Sequence, residues 1–185
     1  MEEIARREDF PAIGPQVGTL LELLARSVNA KRIMELGSGY GYSGLWFSRA
    51  LNEDGYILLT DFEEHNREMA EMFFHKAGKT HLMEFKVGDA VTLLEQENEP
   101  YDIIFNDIDK ELYPDVIEPV YRLLRPGGLF ITDNTLWYGR VTLEDNYPDE
   151  ATPAVIQFNR RLKEHPGFLT SWLPIRDGVS VSVKR

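Results

Sequence analysis

The stretch DIIFNDIDKELYPD, residues 102–115, runs from an apolar segment directly into a dense group of polar and charged side chains. The apolar part is typical of a buried strand, and Asn106, Asp107, Asp109 and Lys110 follow it. A strand that only had to end could do so with a single glycine or asparagine. Two carboxylates, an amide and an ammonium at one strand end therefore indicate that a ligand is held there.

A second group of oxygen-bearing side chains ends the later apolar run GGLFITD, where Asp133 is followed by Asn134. If the two runs are neighbouring parallel strands, their ends lie roughly 5 Å apart, which brings Asp133 and Asn134 to Asp107. Two carboxylates that close together repel each other unless a cation lies between them. Oxygen ligands suit Mg²⁺, and also Ca²⁺ or Mn²⁺, so these three residues predict a divalent-metal site. The alternative is that Asp107 caps a helix and Asp133 starts a turn.

Lys110 lies three residues after Asp107, at the mouth of the same predicted site. A lysine beside a bound cation gives up its proton more readily, because the two positive charges repel each other. A general base that works near neutral pH needs that property. We therefore predict that Lys110 is the catalytic base. The alternative is a lysine that only pairs with a neighbouring acid.

A glycine-rich loop, ELGSGYGYSG at residues 35–44, follows the first predicted strand and opens a helix. Its glycines, Gly37 and Gly39 among them, let the backbone turn tightly and let a ligand approach closely. Part of the loop matches the dinucleotide fingerprint, but Glu35 would repel a pyrophosphate and attract an ammonium. S-adenosylmethionine fits better, because it carries a cationic amino-acid head, a ribose and an adenine, and no phosphate. The alternative is that the glycines only make a tight turn.

Acidic residues also follow the next two predicted strands. Asp61 could accept hydrogen bonds from both ribose hydroxyls of such a cofactor, and Asp89 could accept one from the adenine amino group. Each has a structural alternative, because an aspartate before a helix commonly caps the first turn of that helix.

The elements that must position these residues alternate between short apolar runs and helical patterns. Strands are predicted at 32–36, 56–61, 82–87, 101–107 and 127–133, and helices at 17–28, 41–51, 64–77, 89–97, 111–124 and 151–164. Pro119 is expected to kink or split the helix at 111–124. Residues 168–175 and 178–184 are predicted to form an antiparallel pair. Five alternations predict an α/β fold with a mostly parallel sheet, helices on both faces and ligands at the carboxyl ends of the strands.

Length and composition predict one domain that covers residues 1–185. No apolar run approaches the roughly 18 residues of a membrane-spanning helix, and the mixed charge of the first residues is not typical of a signal peptide. The chain has no cysteine, which excludes disulfides and thiolate sites and fits a cytoplasmic location. Its net charge of −11 disfavours nucleic acid as a partner, because such a surface repels phosphates.

Four stretches taken together resemble one known family. ELGSGYGYS, DIIFNDIDKELY, GGLFITDNTLWYGRV and LPIRDGVSVSVKR, in this order, resemble the cation-dependent O-methyltransferases, among them the catechol and caffeoyl-CoA O-methyltransferases. The resemblance implies a Rossmann-like class I methyltransferase fold, with a seven-stranded, mostly parallel sheet and a C-terminal antiparallel pair. It implies methyl transfer from S-adenosylmethionine to one of two vicinal hydroxyls on a small phenolic acceptor. It leaves a homodimer open as the oligomeric state.

The resemblance also implies roles for individual residues. Lys110 would be the catalytic base, and Asp107, Asp133 and Asn134 would bind the metal, with Asp107 also next to the cofactor. Asn106 departs from the apolar residue that is common in that strand. Together with the glycine loop and the strand ends, the resemblance predicts these further cofactor contacts: Ile13, Glu35, Gly37, Ser38, Gly39, Ser43, Asp61, Asp89, Ala90 and Asp109.

Three other functions stay open. Some bacterial relatives of the family methylate hydroxyuridine-type tRNA nucleotides, and clusters such as Arg122, Arg125 and Arg140, or residues 160–163, could form a basic patch. A nicotinamide-dependent dehydrogenase could share a related fold. A non-catalytic binding protein is the third alternative, and the intact set of Lys110 and the predicted metal ligands argues against it.

Overall fold

The computed structural model describes residues 1–7 and 10–185, without the side chains of residues 5 and 6. Its strands are β1 Arg32–Leu36, β2 Tyr56–Asp61, β3 Met83–Val87, β4 Tyr101–Asn106, β5 Leu124–Thr132, β6 Phe168–Leu173 and β7 Val179–Lys184. They form one sheet in the order β3-β2-β1-β4-β5-β7-β6. The first five strands run parallel, and β7 lies antiparallel between β5 and β6. The predicted fold class is therefore confirmed.

Helices cover both faces of this sheet. The α-helices of the described residues are α1 Glu2–Arg7, α2 Gly14–Ser27, α3 Tyr42–Ser48, α4 Glu64–Lys76, α5 Ala90–Gln96, α6 Ile117–Leu123 and α7 Ala151–Glu164. Successive strand residues point to opposite faces, so Ile33 of β1 joins the core under α2 and α3, whereas Met34 joins the core under α6 and α7. Strands covered on both faces read as continuous apolar runs, which is why the sequence showed them clearly.

The sheet reverses its strand order between β1 and β4, and the loops after these two strands meet. The backbone N–H of Asp107 donates to the carbonyl oxygen of Leu36 at 2.9 Å. Gly37 has a φ of +77°, and a Cβ at this position would lie 2.5 Å from the carbonyl oxygen of Asp107. Only glycine permits both the conformation and the close approach. The glycine loop and the stretch after β4 therefore share the crevice in which open α/β sheets bind ligands.

Pro119 splits the predicted helix at 111–124, as expected. A 3₁₀ turn covers Lys110–Asp115, and the separate helix α6 begins at Ile117. Pro119 is then the third residue of α6, where its missing N–H would have had no partner within the helix. The fifth strand begins at Leu124, three residues earlier than predicted, because Leu124 pairs with Tyr101 across an irregularity in the register.

A row of buried polar side chains crosses three strands next to their carboxyl ends. Asn106 on β4 lies in register with Thr132 on β5, and Thr132 lies in register with Ser180 on β7. All three are fully buried. Within the described part of the chain, the amide of Asn106 and the two hydroxyls have no hydrogen-bond partner. Ser182 differs, because its hydroxyl shares a hydrogen bond with Thr170 at 2.9 Å.

Replacing Asn106 with valine should raise the free energy of unfolding by about 1–2 kcal/mol, because a buried amide without partners carries a desolvation penalty of that order. Valine also suits a strand. The matched control is Ser182→Ala, which removes the partner of Thr170 and should lower stability by up to about 1 kcal/mol. Urea denaturation measures both variants. A loss of stability in Asn106→Val would show that the fold needs the amide.

Candidate active site

A cavity of about 830 Å³ lies at the carboxyl ends of the parallel strands. A cavity of this size holds ligands as large as a nucleoside cofactor. Its wall comes from the loops that follow β1 to β5, from the segment before α2, and from the turn between β6 and β7. Twelve predicted site residues line it: Ile13, Gly37, Ser38, Gly39, Ser43, Asp61, Ala90, Asp107, Asp109, Lys110, Asp133 and Asn134.

The two predicted metal-binding aspartates lie on neighbouring strand ends. Asp107 and Asp133 directly follow the in-register pair Asn106 and Thr132. The backbone N–H of Asp133 donates to the carbonyl oxygen of Asn106 at 3.2 Å. Tyr113, which is fully buried, donates its hydroxyl to the carbonyl oxygen of Asp133 at 3.0 Å. These bonds fix both strand ends at the cavity wall.

The surroundings of this pair disfavour two negative charges. Burial, and after it the charge of Asp107, raises the pKa of Asp133 to about 7. Burial also raises the pKa of Asp107, although the ammonium of Lys110 opposes that shift. Oδ1 of Asp133 is buried and has no hydrogen-bond partner among the described residues. A cation would neutralise the pair and bind that oxygen, so these residues fit a hard divalent ion.

The third predicted ligand, Asn134, has a left-handed backbone with a φ of 55°. Its amide nitrogen donates to Oδ2 of Asp177 at 3.5 Å, which leaves the amide oxygen for another partner. No group of three acidic, histidine or cysteine side chains is placed to hold a metal in the described residues. The candidate set is two carboxylates and one amide, which suits an ion such as Mg²⁺ that keeps several water or substrate oxygens.

Lys110 lies directly beside the acid pair. Its Nζ donates to Oδ1 of Asp107 at 2.8 Å and to the carbonyl oxygen of Ile108 at 3.1 Å. The side chain is 13% exposed and lines the cavity. Lys110 therefore does form an ion pair with Asp107, which was the alternative explanation for this lysine. It also holds the amine at the wall of the cavity, as the role of a base requires.

Asp61 holds the glycine loop in place. Its Oδ2 accepts a hydrogen bond from the backbone N–H of Gly39 at 2.8 Å. Its Oδ1 accepts from the side chain of Asn66 at 2.8 Å and from the backbone N–H of Glu63 at 3.0 Å. Glu63, and not Asp61, directly precedes α4. Asp61 lines the cavity beside the loop, and its contact with a ribose stays a prediction.

A family model described as O-methyltransferase matches residues 5–185. The chain belongs to the O-methyltransferase family. The predicted enzyme class, an S-adenosylmethionine-dependent O-methyltransferase, is confirmed.

Individual relatives of this O-methyltransferase are similar over most of its length. It is 35% identical over 175 residues to caffeoyl-CoA O-methyltransferase 2 of Petunia hybrida, and the aligned region covers 89% of this chain and 72% of that protein. It is 34% identical over 155 residues to a catechol O-methyltransferase of Niastella koreensis, covering 82% and 70%. An O-methyltransferase of tomaymycin synthesis from Streptomyces achromogenes, crystallised with S-adenosylmethionine, superposes with a TM-score of 0.89 at 31% identity, covering 97% and 85%.

Glu35 of this O-methyltransferase lies behind the cavity wall rather than in it. The residue is fully buried, and the hydroxyl of Ser43, which does line the cavity, donates to its Oε1. Its Oε2 has no hydrogen-bond partner among the described residues. Burial raises the pKa of Glu35 to about 8. The structure thus gives Glu35 a place in supporting Ser43, and its direct contact with the cofactor stays a prediction.

The stability of the ligand-free O-methyltransferase should carry a pH dependence that originates at Glu35. The pKa of Glu35 is higher in the folded state than in the unfolded state. The contribution of the protonated carboxyl to stability is therefore fully present below pH 4.5 and is lost as the pH rises through about 8. At about 1.4 kcal/mol per pH unit, the change amounts to several kcal/mol at most.

The measurement compares the wild type with Glu35→Gln, which keeps a neutral side chain of similar shape. Urea unfolding between pH 5 and 9 should show Glu35→Gln gaining stability relative to the wild type as the pH rises. A difference that stays constant across this range would contradict a protonated Glu35.

Asp89 acts as the cap of α5 in this structure. Its Oδ1 accepts from the backbone N–H of Thr92 at 2.7 Å and from the hydroxyl of Thr92 at 2.6 Å. The neighbouring Ala90 lines the cavity, whereas Asp89 does not. The capping alternative therefore describes the position of Asp89, and its contact with adenine stays a prediction.

The cavity also contains residues that the sequence reasoning did not single out as site residues. Phe10 stacks on Tyr40 with ring centroids 3.9 Å apart, and both line the cavity together with Arg176. Arg176 lies in the connection between β6 and β7. Because β6 runs parallel to β5, topology alone places this connection at the carboxyl edge of the sheet, and that signal could have identified Arg176. Nothing in the sequence places Phe10 against the glycine loop.

Two aromatic residues that follow the predicted metal ligands along the chain also line the cavity wall. Trp137 and Tyr138 both line the cavity and both have left-handed backbones, with φ values of 46° and 55°. Tyr138 is 74% exposed. Trp137 donates its Nε1–H to Asp149 at 3.5 Å, and Arg140 pairs with the same carboxylate at 2.5 Å. The loop after Tyr138 is thus tied to the cavity wall through Asp149.

The arginines of the first proposed basic cluster, Arg122, Arg125 and Arg140, are engaged within the protein. Arg122 donates to the carbonyl oxygens of Glu95 and Glu97. Arg125 pairs with Asp102 at 2.5 Å. The carboxylate partners of Arg125 and Arg140 lower the charge that these two residues offer to a nucleic-acid backbone.

None of the described helices combines the length and apolar character needed to cross a bilayer.

Proposed function

We propose that this enzyme transfers the methyl group of S-adenosylmethionine to one hydroxyl of a small vicinal diol of the catechol type. The observation that carries the proposal is one cavity lined by two groups of residues. One group is the glycine loop with Asp61, and the other is Asp107 and Asp133 with Lys110. A methyl donor bound by the first group and a hydroxyl acceptor bound by the second would meet inside the cavity, and holding two reactants together removes a large entropic barrier.

The cofactor would lie along the glycine loop. Gly37, Gly39 and Gly41 all have positive φ values, so the backbone curves around the space that the ligand fills. Asp61 would accept from the ribose, while Ser38 and Ser43 would face the methionine part. The Streptomyces achromogenes relative was crystallised with S-adenosylmethionine, which supports this cofactor. When bound, it supplies a methyl group on a positively charged sulfur.

A divalent cation would be held by Asp107, Asp133 and Asn134. The supporting observations are the unpartnered, buried Oδ1 of Asp133 and the raised pKa values of both carboxyls, each caused first by burial. When bound, such an ion supplies Lewis acidity, which makes a hydroxyl proton easier to remove. The names of the petunia and Niastella koreensis relatives, caffeoyl-CoA and catechol O-methyltransferase, support an acceptor with two adjacent phenolic oxygens.

Lys110 would take the proton from the reacting hydroxyl at its Nζ. The hydrogen bonds to Asp107 and to the carbonyl oxygen of Ile108 orient the amine at the cavity wall. The centroid of the Tyr113 ring lies 5.1 Å from Nζ. The amine thus has a defined position before the acceptor binds, and a positioned base contributes about 10²- to 10⁴-fold to rate.

An acceptor screen tests the proposal. Labelled S-adenosylmethionine is offered with catechol, with caffeate-type esters, with monophenols and with unmodified and hydroxyuridine-containing tRNA. Label should appear on the vicinal diols and not on the monophenols, because only the diols present two adjacent oxygens. Exclusive transfer to tRNA would replace this proposal with the nucleic-acid alternative, and absence of transfer to every acceptor would contradict both.

A further inference from the structure

Arg176 is a cationic side chain in the cavity wall that forms no ion pair with a carboxylate of the described residues. Among the lining residues that the structure describes, the other lysine or arginine is Lys110, which pairs with Asp107 at 2.8 Å. No carboxylate of the described chain forms an ion pair with Arg176, whereas Arg140 in the neighbouring loop pairs with Asp149 at 2.5 Å. In a protein with a net charge of −11, such a cation is available for an anionic group of a ligand.

The backbone of Arg176 and its contacts hold the side chain against the cavity. Its φ of +51° is a conformation that residues other than glycine rarely adopt. One guanidinium nitrogen, Nη1, donates to the carbonyl oxygen of Ala12 at 2.8 Å. The guanidinium also packs beside Gly14, 3.5 Å from the position of a Cβ there. Arg176 thus contacts Ala12 and lies beside Gly14, the two neighbours of Ile13, which itself lines the cavity.

We propose that Arg176 binds the carboxylate of a ligand in this cavity. A guanidinium presents five donors in a planar fork that matches a carboxylate, and the hydrogen bond to Ala12 uses one of them. Two ligands could supply the carboxylate, namely the amino-acid end of S-adenosylmethionine and an acidic phenolic acceptor. The inference rests on the proposed function and adds to it the residue that recognises the anionic end.

The first arm of the test measures cofactor binding without catalysis. Isothermal titration calorimetry compares S-adenosylhomocysteine with its decarboxylated analogue, for the wild type, Arg176→Gln and Arg176→Lys. If the cofactor supplies the carboxylate, Arg176→Gln raises the Kd for S-adenosylhomocysteine by about 10- to 100-fold, because a charged hydrogen bond is lost. The Kd for the decarboxylated analogue stays unchanged. Arg176→Lys should retain part of the affinity, since it keeps the charge.

The second arm measures acceptor recognition. If the acceptor supplies the carboxylate, Arg176→Gln raises the KM for 3,4-dihydroxybenzoate by about 10- to 100-fold and leaves the KM for catechol unchanged. Arg160→Gln is the matched control, because Arg160 is exposed on α7 and lies outside this cavity. It should behave as the wild type in both arms. Thermal unfolding of each variant confirms that the fold is retained.

The outcomes separate the inference from the proposed function. Arg176→Gln could weaken the ligand with the carboxylate and the ligand without it equally in each arm, or it could weaken neither. Either result would overturn the role of Arg176 while leaving the proposed function intact. A wild-type protein that fails to bind S-adenosylhomocysteine would instead contradict the proposed function. A loss confined to one carboxylate-bearing ligand supports the inference and identifies the source of the carboxylate.

Discussion

Lys110→Ala should lower kcat by two to four orders of magnitude while the Kd for S-adenosylhomocysteine changes by less than about threefold. The loss is that expected when a positioned general base is removed. The cofactor should be retained, because Lys110 hydrogen-bonds to Asp107 and to the carbonyl oxygen of Ile108 and to no described residue of the glycine loop. Steady-state methyl transfer and calorimetric binding of S-adenosylhomocysteine, measured on the same preparation, separate the two effects.

The control for this variant is Lys163→Ala, which removes a lysine of α7 that lies outside the large cavity. It should retain wild-type turnover. If Lys110→Ala kept more than about a tenth of the wild-type kcat, Lys110 would be an ion-pair partner of Asp107 and another group would take the proton. A parallel loss of cofactor affinity would point instead to a collapse of the cavity wall.

Asp133→Asn should have opposite effects on the metal-free and the metal-loaded protein. Without metal, the variant should unfold at a higher temperature than the wild type, because the buried repulsion between Asp133 and Asp107 is removed. With Mg²⁺, the wild type should gain stability through binding, whereas the variant should gain little, since it lacks one of two charged ligands. We expect the Kd for Mg²⁺ to rise by at least about 100-fold, in line with the loss of a charged partner.

Differential scanning calorimetry with increasing Mg²⁺, and titration with Mn²⁺ followed by electron paramagnetic resonance, measure both effects. Glu111→Gln is the matched control, because Glu111 lines the same cavity but is not a proposed ligand. It should leave the Mg²⁺ dependence unchanged. An Asp133→Asn protein with the wild-type response to Mg²⁺ would show that the ion binds elsewhere.

Much of the fold followed from local patterns in the sequence. The strands of a sheet covered on both faces are continuous apolar runs, and α7 occupies residues 151–164 as predicted. Pro119 was placed correctly as a break, because its missing N–H is tolerated only in the first turn of a helix. The boundary of β5 was missed by three residues, since the pairing of Leu124 with Tyr101 depends on a partner strand that local patterns do not show.

The sequence also predicted only part of the candidate site. Asp107 and Asp133 could be brought together in advance, because the ends of neighbouring parallel strands meet at one edge of a sheet. Glu35 and Asp89 were harder to place, since their neighbours Ser43 and Thr92 bond to them and only the packed structure shows that neither lines the cavity. Arg176 reaches Ala12 across 164 positions of the chain, a contact that no local spacing encodes.

The most direct test of the account is methyl transfer to 3,4-dihydroxybenzoate by enzyme treated with EDTA, followed by stepwise return of Mg²⁺. We predict that chelation abolishes transfer, that Mg²⁺ restores it in the wild type, and that Asp133→Asn recovers little of it at the same Mg²⁺ concentrations. Full transfer in the presence of EDTA would contradict a divalent ion between Asp107 and Asp133.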